Sequence, residues 1–205
     1  AILKAQPHHL DTIANLEAVA MQVNLVALYT DGRFIEAAAA VQTMVERFPL
    51  NGFGWVMLGM LSKQMGESTD GLAYARKGVA LWPNYAAAHS NLGTILMELG
   101  LQNEAEVSYW RAVKLKPDFA EAHNNLGDVY FRLGRPDKAE DSCRRALQIK
   151  PDNAKVYNNL GHILYSLNRL DEAEASCRRA LQIKPDYANA YGTLGEVLRD
   201  QGKLD

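Results

Sequence analysis

Apolar and polar positions follow helical spacing along most of the chain, and the same pattern returns at a fixed interval. Beginning at residue 154, Tyr157, Leu160 and Leu164 stand at i, i+3 and i+7, which is the spacing of one helix face. A second series, with i, i+4 and i+7 spacing, comprises Ala173, Cys177 and Ala180. Each period of the pattern therefore predicts two consecutive amphipathic helices.

Prolines give the length of the period. Five of the seven stand 34 residues apart, at Pro49, Pro83, Pro117, Pro151 and Pro185. The corresponding repeats are 52–85, 86–119, 120–153 and 154–187, preceded by a divergent helical segment, 1–51, and followed by the first helix of an incomplete repeat, 188–205. Positions are numbered below from the first residue of each repeat. Ungapped repetition of this length predicts a stack of equivalent units.

Residues that favour turns and helix ends recur at fixed positions. Position 15, occupied by Gly66, Gly100, Gly134 and Asn168, predicts a left-handed residue that closes the first helix. The proline at position 32 predicts the end of the second helix, because it cannot donate to the helical hydrogen bonds. Position 18 holds Asn103, Asp137 and Asp171, each followed three residues later by Glu. That spacing predicts a capping box at the start of the second helix.

Both ends of the chain depart from the regular pattern. The interval from Pro7 to Pro49 is 42 residues, so we expect residues 10–30 to form one longer or interrupted helix. Residues 1–6 fit the tail of an earlier second helix, and Asp205 stands at position 18 of a repeat whose second helix is missing. From these features we expect the chain to be cut from a longer protein.

Composition and charge exclude several functions. With 22 basic and 24 acidic residues the formal charge is −2, so no overall positive field attracts nucleic acid. No apolar run approaches the roughly 20 residues of a membrane span. The two cysteines, Cys143 and Cys177, stand at equivalent positions one repeat apart, and we expect buried core thiols in a reducing, cytoplasmic setting.

The sequence offers no metal, cofactor or catalytic motif. His8 and His9 are adjacent and predicted to lie in a turn, without a third ligand. His89 and His123 stand at position 4, where other repeats have Trp or Tyr, so we expect packing roles for them. The chain also contains no phosphate-binding loop, nucleophile elbow or zinc-protease motif. We therefore do not expect an enzyme.

The repeated residues resemble the tetratricopeptide signature. Trp55, Leu58 and Gly59, then Ala105 with Tyr109, then the prolines match its W-x2-L-G…A-x3-F…P pattern with a 34-residue period. The resemblance covers nearly the whole chain. It implies an all-α fold, a right-handed α-solenoid of helix-turn-helix units whose first helices line a concave face and whose Arg144, Arg145, Arg178 and Arg179 face outward.

The same resemblance implies a set of partner-binding side chains at positions 5, 6, 9 and 12 of the first helices. In this sequence the candidates are Asn91, Asn124, Asn125, Asp128, Phe131, Asn158, Asn159, His162 and Tyr165. Side-chain amides have both donors and an acceptor, as a peptide group has, so an asparagine ladder suits an extended polypeptide. Alternatively, these amides satisfy neighbouring helices and the aromatic rings cover adjacent repeats.

Three functions follow from this interpretation. The first is a scaffold that binds a protein or peptide segment in its groove and has no chemistry of its own. The second rests on a resemblance to the arrays that precede the catalytic domain of bacterial relatives of the O-linked N-acetylglucosamine transferases, where an asparagine ladder guides the acceptor polypeptide. The third is self-association through exposed solenoid ends.

Overall fold

The computed structural model describes the backbone of residues 7–203 and the side chains of residues 16–203. This part of the chain is entirely helical and contains no strand. Its eleven helices are α1 (Pro7–Thr30), α2 (Phe34–Arg47), α3 (Gly52–Gln64), α4 (Ser68–Leu81), α5 (Ala86–Glu98), α6 (Gln102–Leu115), α7 (Ala120–Arg132), α8 (Pro136–Ile149), α9 (Ala154–Ser166), α10 (Leu170–Ile183) and α11 (Ala188–Asp200). The predicted all-α fold of paired helices is confirmed.

The predicted helix ends are also confirmed. Gly66, Gly100 and Gly134 have φ values of 83°, 73° and 71°, and Asn168 has the left-handed value of 57°. The left-handed residue stops the first helix and turns the chain directly into the second. Second helices end two residues before each of the five regularly spaced prolines, as at Arg47 before Pro49.

The predicted capping boxes are wrong. The residues that precede α6, α8 and α10 are Leu101, Arg135 and Arg169, and no side chain caps these helices. The helix begins two residues after the left-handed residue, at position 17, so position 18 already lies inside the first turn. Asp137 and Asp171 there still favour the positive end of the helix dipole. The glutamates at position 21 make ion pairs instead, as described below.

The chain divides into two compact units, residues 1–99 and 100–205. In the first unit, one core cluster joins α1, α2 and α3 through buried side chains that include Leu25, Val41, Met44 and Leu61. Helices α3 and α4 approach closely because both carry glycine at the contact. A Cβ atom at Gly59 would lie 3.1 Å from the Gly71 carbonyl oxygen.

The second unit has its main core between α8, α9 and α10, with one residue from α11. Val156, Ile163 and Leu164 of α9 are buried there. Cys143 and Cys177 are unpaired and fully buried, as expected. Burial raises the pKa of Cys143 to about 12 and that of Cys177 to about 11. Both thiols are therefore protonated packing groups and poor nucleophiles at neutral pH.

The N-terminal helix is continuous from Pro7 to Thr30. His8 and His9 are part of this helix, so the turn predicted for them is wrong. A proline at the first position of a helix is compatible with helix formation, since its missing N–H has no intrahelical acceptor there. The predictions made for residues 1–6 and for Asp205 lie outside the described residues.

Candidate peptide-binding face

First helices form a layer in the second unit. Helix α9 contacts α7 on one side and α11 on the other, while α8 and α10 pack between successive first helices. Positions 5, 6, 9 and 12 of α7, α9 and α11 therefore repeat across neighbouring helices at a spacing of about 10 Å, the usual distance between packed helices. We call this layer the first-helix face and define it by those positions.

The asparagines of this face divide into a buried and a half-buried set. Asn124 and Asn158, at position 5, are 4% and 8% exposed. Asn159, at position 6, donates from Nδ2 to Asn124 Oδ1 at 3.0 Å, and Thr193 Oγ1 donates to Asn158 Oδ1 at 3.3 Å. Position 5 thus accepts a hydrogen bond from position 6 of the following repeat. These bonds tie adjacent first helices together.

The position-6 asparagines keep part of their surface accessible. Asn125 and Asn159 are half-buried, and Asn124 Nδ2 donates to Asn125 Oδ1 at 3.3 Å. Asn91 in the first unit is also half-buried, but the preceding repeat has Val56 at position 5. Valine offers no side-chain acceptor, so Asn91 lacks the supporting bond that Asn159 makes. Asn124 and Asn158 are buried and accept hydrogen bonds from the neighbouring first helix, whereas the position-6 amides reach the surface of the first-helix face.

Aromatic and charged side chains lie beside the amides and contact one another across repeats. The Phe131 and His162 rings meet edge to face, with centroids 4.9 Å apart. The Tyr165 hydroxyl donates to Asp200 Oδ2 at 2.7 Å, and this bond raises the pKa of Tyr165. His162 is exposed, whereas Phe131 and Tyr165 are half-buried. The rings therefore both connect neighbouring repeats and present accessible edges.

Asp128 is neutralised within its own helix. Arg132 Nε lies 3.1 Å from Asp128 Oδ2, an i,i+4 pair on α7. Because both groups are about half exposed, this pair contributes little to stability. The first-helix face consequently presents mixed charges beside neutral amides and aromatic rings.

The structure gives position 4 a role that the sequence analysis missed. Trp55 Nε1 donates to the Pro49 carbonyl oxygen at 2.8 Å. The Nε2 atoms of His89 and His123 lie 2.9 and 3.0 Å from the carbonyl oxygens of Pro83 and Pro117, so each ring carries its proton on Nε2. In all three cases a ring N–H holds the turn before the first helix. The packing role expected for the two histidines becomes a specific hydrogen bond, and burial lowers the pKa of His123.

Ion pairs also connect repeats at positions that the sequence analysis assigned to capping. Position 16 carries Arg135, Arg169 or Lys203, and each contacts the position-21 glutamate of the preceding repeat. The distances are 2.8 Å for Arg135 to Glu106, 2.6 Å for Arg169 to Glu140 and 2.7 Å for Lys203 to Glu174. The basic residues at position 16 and the glutamates at position 21 both recur every 34 residues, so the sequence could have revealed these ion pairs.

The outward arginines behave as expected for a solvated surface. Arg144 lies 2.7 Å from Glu140, and Arg178 lies 2.8 Å from Glu174, both as i,i+4 pairs. Among residues 16–203, no group of three histidine, cysteine, aspartate or glutamate side chains has the arrangement of a metal site. The described helices also include none that is long and apolar enough to cross a membrane.

Comparisons with protein families agree with this architecture. Residues 118–186 match a family described as "Tetratricopeptide repeat", and residues 93–134 match one described as "TPR repeat". Residues 93–186 are tetratricopeptide repeats. No curated protein matches the chain significantly. The resemblance to the arrays of glycosyltransferases stays a prediction, because neither family match tests it.

Solved structures of other proteins resemble the chain in fold. MamA is 26% identical with a TM-score of 0.70, over 79% of this chain and 95% of that one. PilF of Pseudomonas aeruginosa is 17% identical with a TM-score of 0.83, over 93% and 86% of the two chains. YrrB, described as a TPR protein with an unusual peptide-binding site, is 20% identical with a TM-score of 0.68, over 81% and 86%. At such identities PilF and YrrB show the fold alone.

Proposed function

We propose that the protein is an interaction scaffold whose first-helix face binds an extended polypeptide segment. The observation that carries this proposal is the bond from Asn159 to buried Asn124. It fixes the orientation of an amide that stays partly accessible on the face. A fixed amide loses less conformational entropy on binding than a free one.

The remaining hydrogen-bonding capacity of Asn159 suits a peptide backbone. A side-chain amide has two donor hydrogens and an acceptor oxygen. Donation to Asn124 uses one hydrogen, which leaves Oδ1 and the second hydrogen for a partner. One peptide unit offers the complementary N–H and C=O. Such bonding depends little on the partner's side chains, so the amides would provide affinity with broad sequence tolerance.

The rings next to the amides would supply the side-chain preference. Phe131, His162 and Tyr165 present accessible edges beside Asn125 and Asn159. Aromatic side chains give large contact areas at low entropic cost and are enriched among the residues that dominate binding energies. YrrB, with the same fold, is described as having a peptide-binding site, which supports this class of partner. We expect segments with spaced apolar residues to bind better than wholly polar ones.

The test is binding of a set of unstructured fluorescent peptides to the wild type and to the Asn125→Ala/Asn159→Ala variant. We expect affinity to fall about tenfold, because two hydrogen bonds of about 0.5 to 1.5 kcal/mol each are lost. A matched control replaces outward, exposed amides on second helices, Gln148→Ala/Gln182→Ala, and should bind as the wild type does. Unchanged affinity of the first variant would contradict the proposal.

Loss of folding must be separated from loss of binding, since Asn159→Ala also removes the partner of Asn124. Circular dichroism and urea unfolding therefore accompany each titration. Phe131→Ala/Tyr165→Ala forms a second test, because these substitutions leave both asparagine bonds in place. Asn91→Ala, in the first unit, tests whether an amide without the supporting bond contributes to peptide affinity. We expect a smaller loss of affinity than for Asn159→Ala.

A second candidate follows from the resemblance to glycosyltransferase-associated arrays. Here the first-helix face would hold an acceptor polypeptide for a catalytic domain elsewhere in a larger protein. The half-buried asparagines at position 6, Asn91, Asn125 and Asn159, are the residues that support it. The intact mass of the native protein, compared with the 22.7 kDa of this chain, tests the idea. In both candidate functions the repeats bind a polypeptide and catalyse no reaction themselves. We also propose a cytoplasmic location, which we infer from the cysteines.

A further inference from the structure

Helix α1 carries apolar residues on two opposite faces. Ala18, Leu25 and Leu28 are buried on the side of α1 that belongs to the core with α2 and α3. On the other side four apolar residues are exposed. They are Leu16, Val19, Val23 and Val26, with 65%, 53%, 67% and 48% of their surfaces accessible. A helix that is apolar all round is normally buried all round, so the second face needs a cover. We call these four residues the α1 stripe.

The spacing of the α1 stripe is that of a coiled coil. Its residues are separated by three, four and three positions, which is the a and d pattern of two heptads. Exposed Ala20 and Ala27 flank the stripe and allow a second helix to approach closely. Thr30 lies at the next heptad position and ends the apolar series. The stripe thus has the length of four core layers.

The charge around the stripe favours an uncharged helical partner. Between residues 16 and 30 the sequence has one residue that is charged at neutral pH, Glu17, and its carboxylate is 2.7 Å from Arg47 on α2. The exposed face therefore has no free charge among residues 16–30. Coiled coils that select a different partner commonly use charges beside the seam, and this seam has none. Two copies of it can meet without like charges opposing each other.

The register is self-complementary as well. When two copies of α1 pack antiparallel about a two-fold axis next to Met21, Leu16 lies opposite Val26 of the second copy, and Val19 lies opposite Val23 of the second copy. All four layers are then filled by one apolar residue from each chain. A two-fold contact of this kind uses the same surface on both subunits, as symmetric dimers do. We infer that the α1 stripe is a homodimer interface, and that its occupant is a second copy of this chain.

This interface is separate from the proposed peptide-binding function. The α1 stripe shares no residue with the first-helix face, so dimerisation and peptide binding can fail independently. With four apolar layers, the contact is smaller than a standard interface, and we expect a weak, concentration-dependent dimer.

Sedimentation equilibrium of the full chain over a wide concentration range tests the inference. The weight-average mass should rise from 22.7 kDa towards twice that value. Val19→Glu/Val23→Glu places four carboxylates around the axis and should keep the protein monomeric. Val107→Glu, on a similarly exposed valine of α6, is the matched control and should dimerise as the wild type does. Monomeric wild-type protein at every concentration would overturn the inference.

A charge-swap experiment distinguishes pairing through the α1 stripe from other contacts. Val19→Lys/Val23→Lys should also be monomeric, and mixing it with the Glu variant should restore a dimer of one chain of each kind. That recovery requires positions 19 and 23 of one copy to lie against the same segment of the other. A single chain with Val19→Lys/Val23→Glu should dimerise by itself only in the antiparallel register, where position 19 of one copy faces position 23 of the other, because parallel packing would oppose like charges. Dimers that persist in the Glu variant, or a mixture that stays monomeric while both variants keep their helical circular dichroism, would contradict the α1 pairing.

Discussion

Repeats 52–85 and 154–187 have the same backbone plan but fill equivalent positions with different chemistry. At positions 5 and 6 the earlier repeat has Val56 and Met57, both buried, whereas the later one has the amides of Asn158 and Asn159. At position 21 the earlier repeat has Leu72 where the later has Glu174. Helix pairing therefore depends on a few small residues, and the other positions are free to become apolar core, polar face or ion pair.

The two repeats differ most in what limits the distance between their two helices. At Gly161 an added Cβ would lie 2.6 Å from Cys177 Sγ, but 3.3 Å from the nearest backbone atom, the Ala173 oxygen. At Gly59 the nearest atoms are backbone, the Ala75 nitrogen and the Gly71 oxygen, both at 3.1 Å. A side chain obstructs the first site and the backbone obstructs the second.

Gly161→Ala should therefore destabilise the protein by about 2 kcal/mol, the usual cost of forcing an atom into a packed core. Cys177→Ala in the same chain should recover much of that loss because it removes the obstructing sulfur. Gly59→Ala should also destabilise, and shortening Ala75 to Gly should recover little. Urea unfolding of the single and double variants gives the coupling energies. Equal recovery in both repeats would disprove the proposed difference.

Exchanging the position-6 residues gives the next largest effect. Asn159→Met copies the residue of repeat 52–85 and leaves Asn124 Oδ1 buried without its 3.0 Å donor. We expect a loss of about 1 to 2 kcal/mol, the penalty for an unsatisfied buried acceptor. Thermal unfolding measures it. Asn159→Met combined with Asn124→Val, which also removes the buried acceptor, should be more stable than Asn159→Met alone; if it is less stable, the bond is not the cause.

The helices, their ends and the thiol core could be predicted from residue types, because glycine, proline and apolar periodicity act locally. The support role of Asn124 could not be predicted, since it depends on which residue of the next repeat faces it. Glu140 and Glu174 satisfied a local capping pattern, yet they pair with Arg169 and Lys203 from the following repeat. Interactions between repeats were therefore the part that local sequence rules missed, and both the site and the ion pairs depend on them.

At position 4 the two repeats differ in whether the aromatic side chain makes a hydrogen bond. Trp55 donates to the Pro49 carbonyl oxygen, whereas the described part of the structure records no hydrogen bond for the Tyr157 hydroxyl. Trp55→Phe should cost about 1 kcal/mol in unfolding free energy through the lost bond. Trp55→His should lose less, because His89 and His123 make the equivalent bond in other repeats. Tyr157→Phe should leave stability unchanged. A loss for Trp55→His equal to that for Trp55→Phe would assign the effect to packing alone.

The smallest effect is expected at the exposed ion pairs, where pH separates the two repeats. Hydrogen bonds from Lys203 and Arg178 lower the pKa of Glu174 to about 2. A carboxyl whose pKa is depressed in the folded protein stabilises it above the ordinary value of 4.5, and this contribution disappears as pH falls towards 2. Leu72, at the same position of repeat 52–85, does not titrate.

Glu174→Gln should therefore lower the unfolding temperature slightly at pH 7, with a difference from the wild type that shrinks steadily between pH 4.5 and pH 2. Added salt should reduce the difference at pH 7, since the Lys203 side chain of the pair is half exposed. Glu121→Gln, an exposed carboxylate for which the described structure records no ion pair, is the control and should show no such pH dependence. A difference at Glu174 that persists undiminished at pH 2 would mean that the side chain stabilises the repeat through packing, and that charge has no part in joining α10 to the residues after α11.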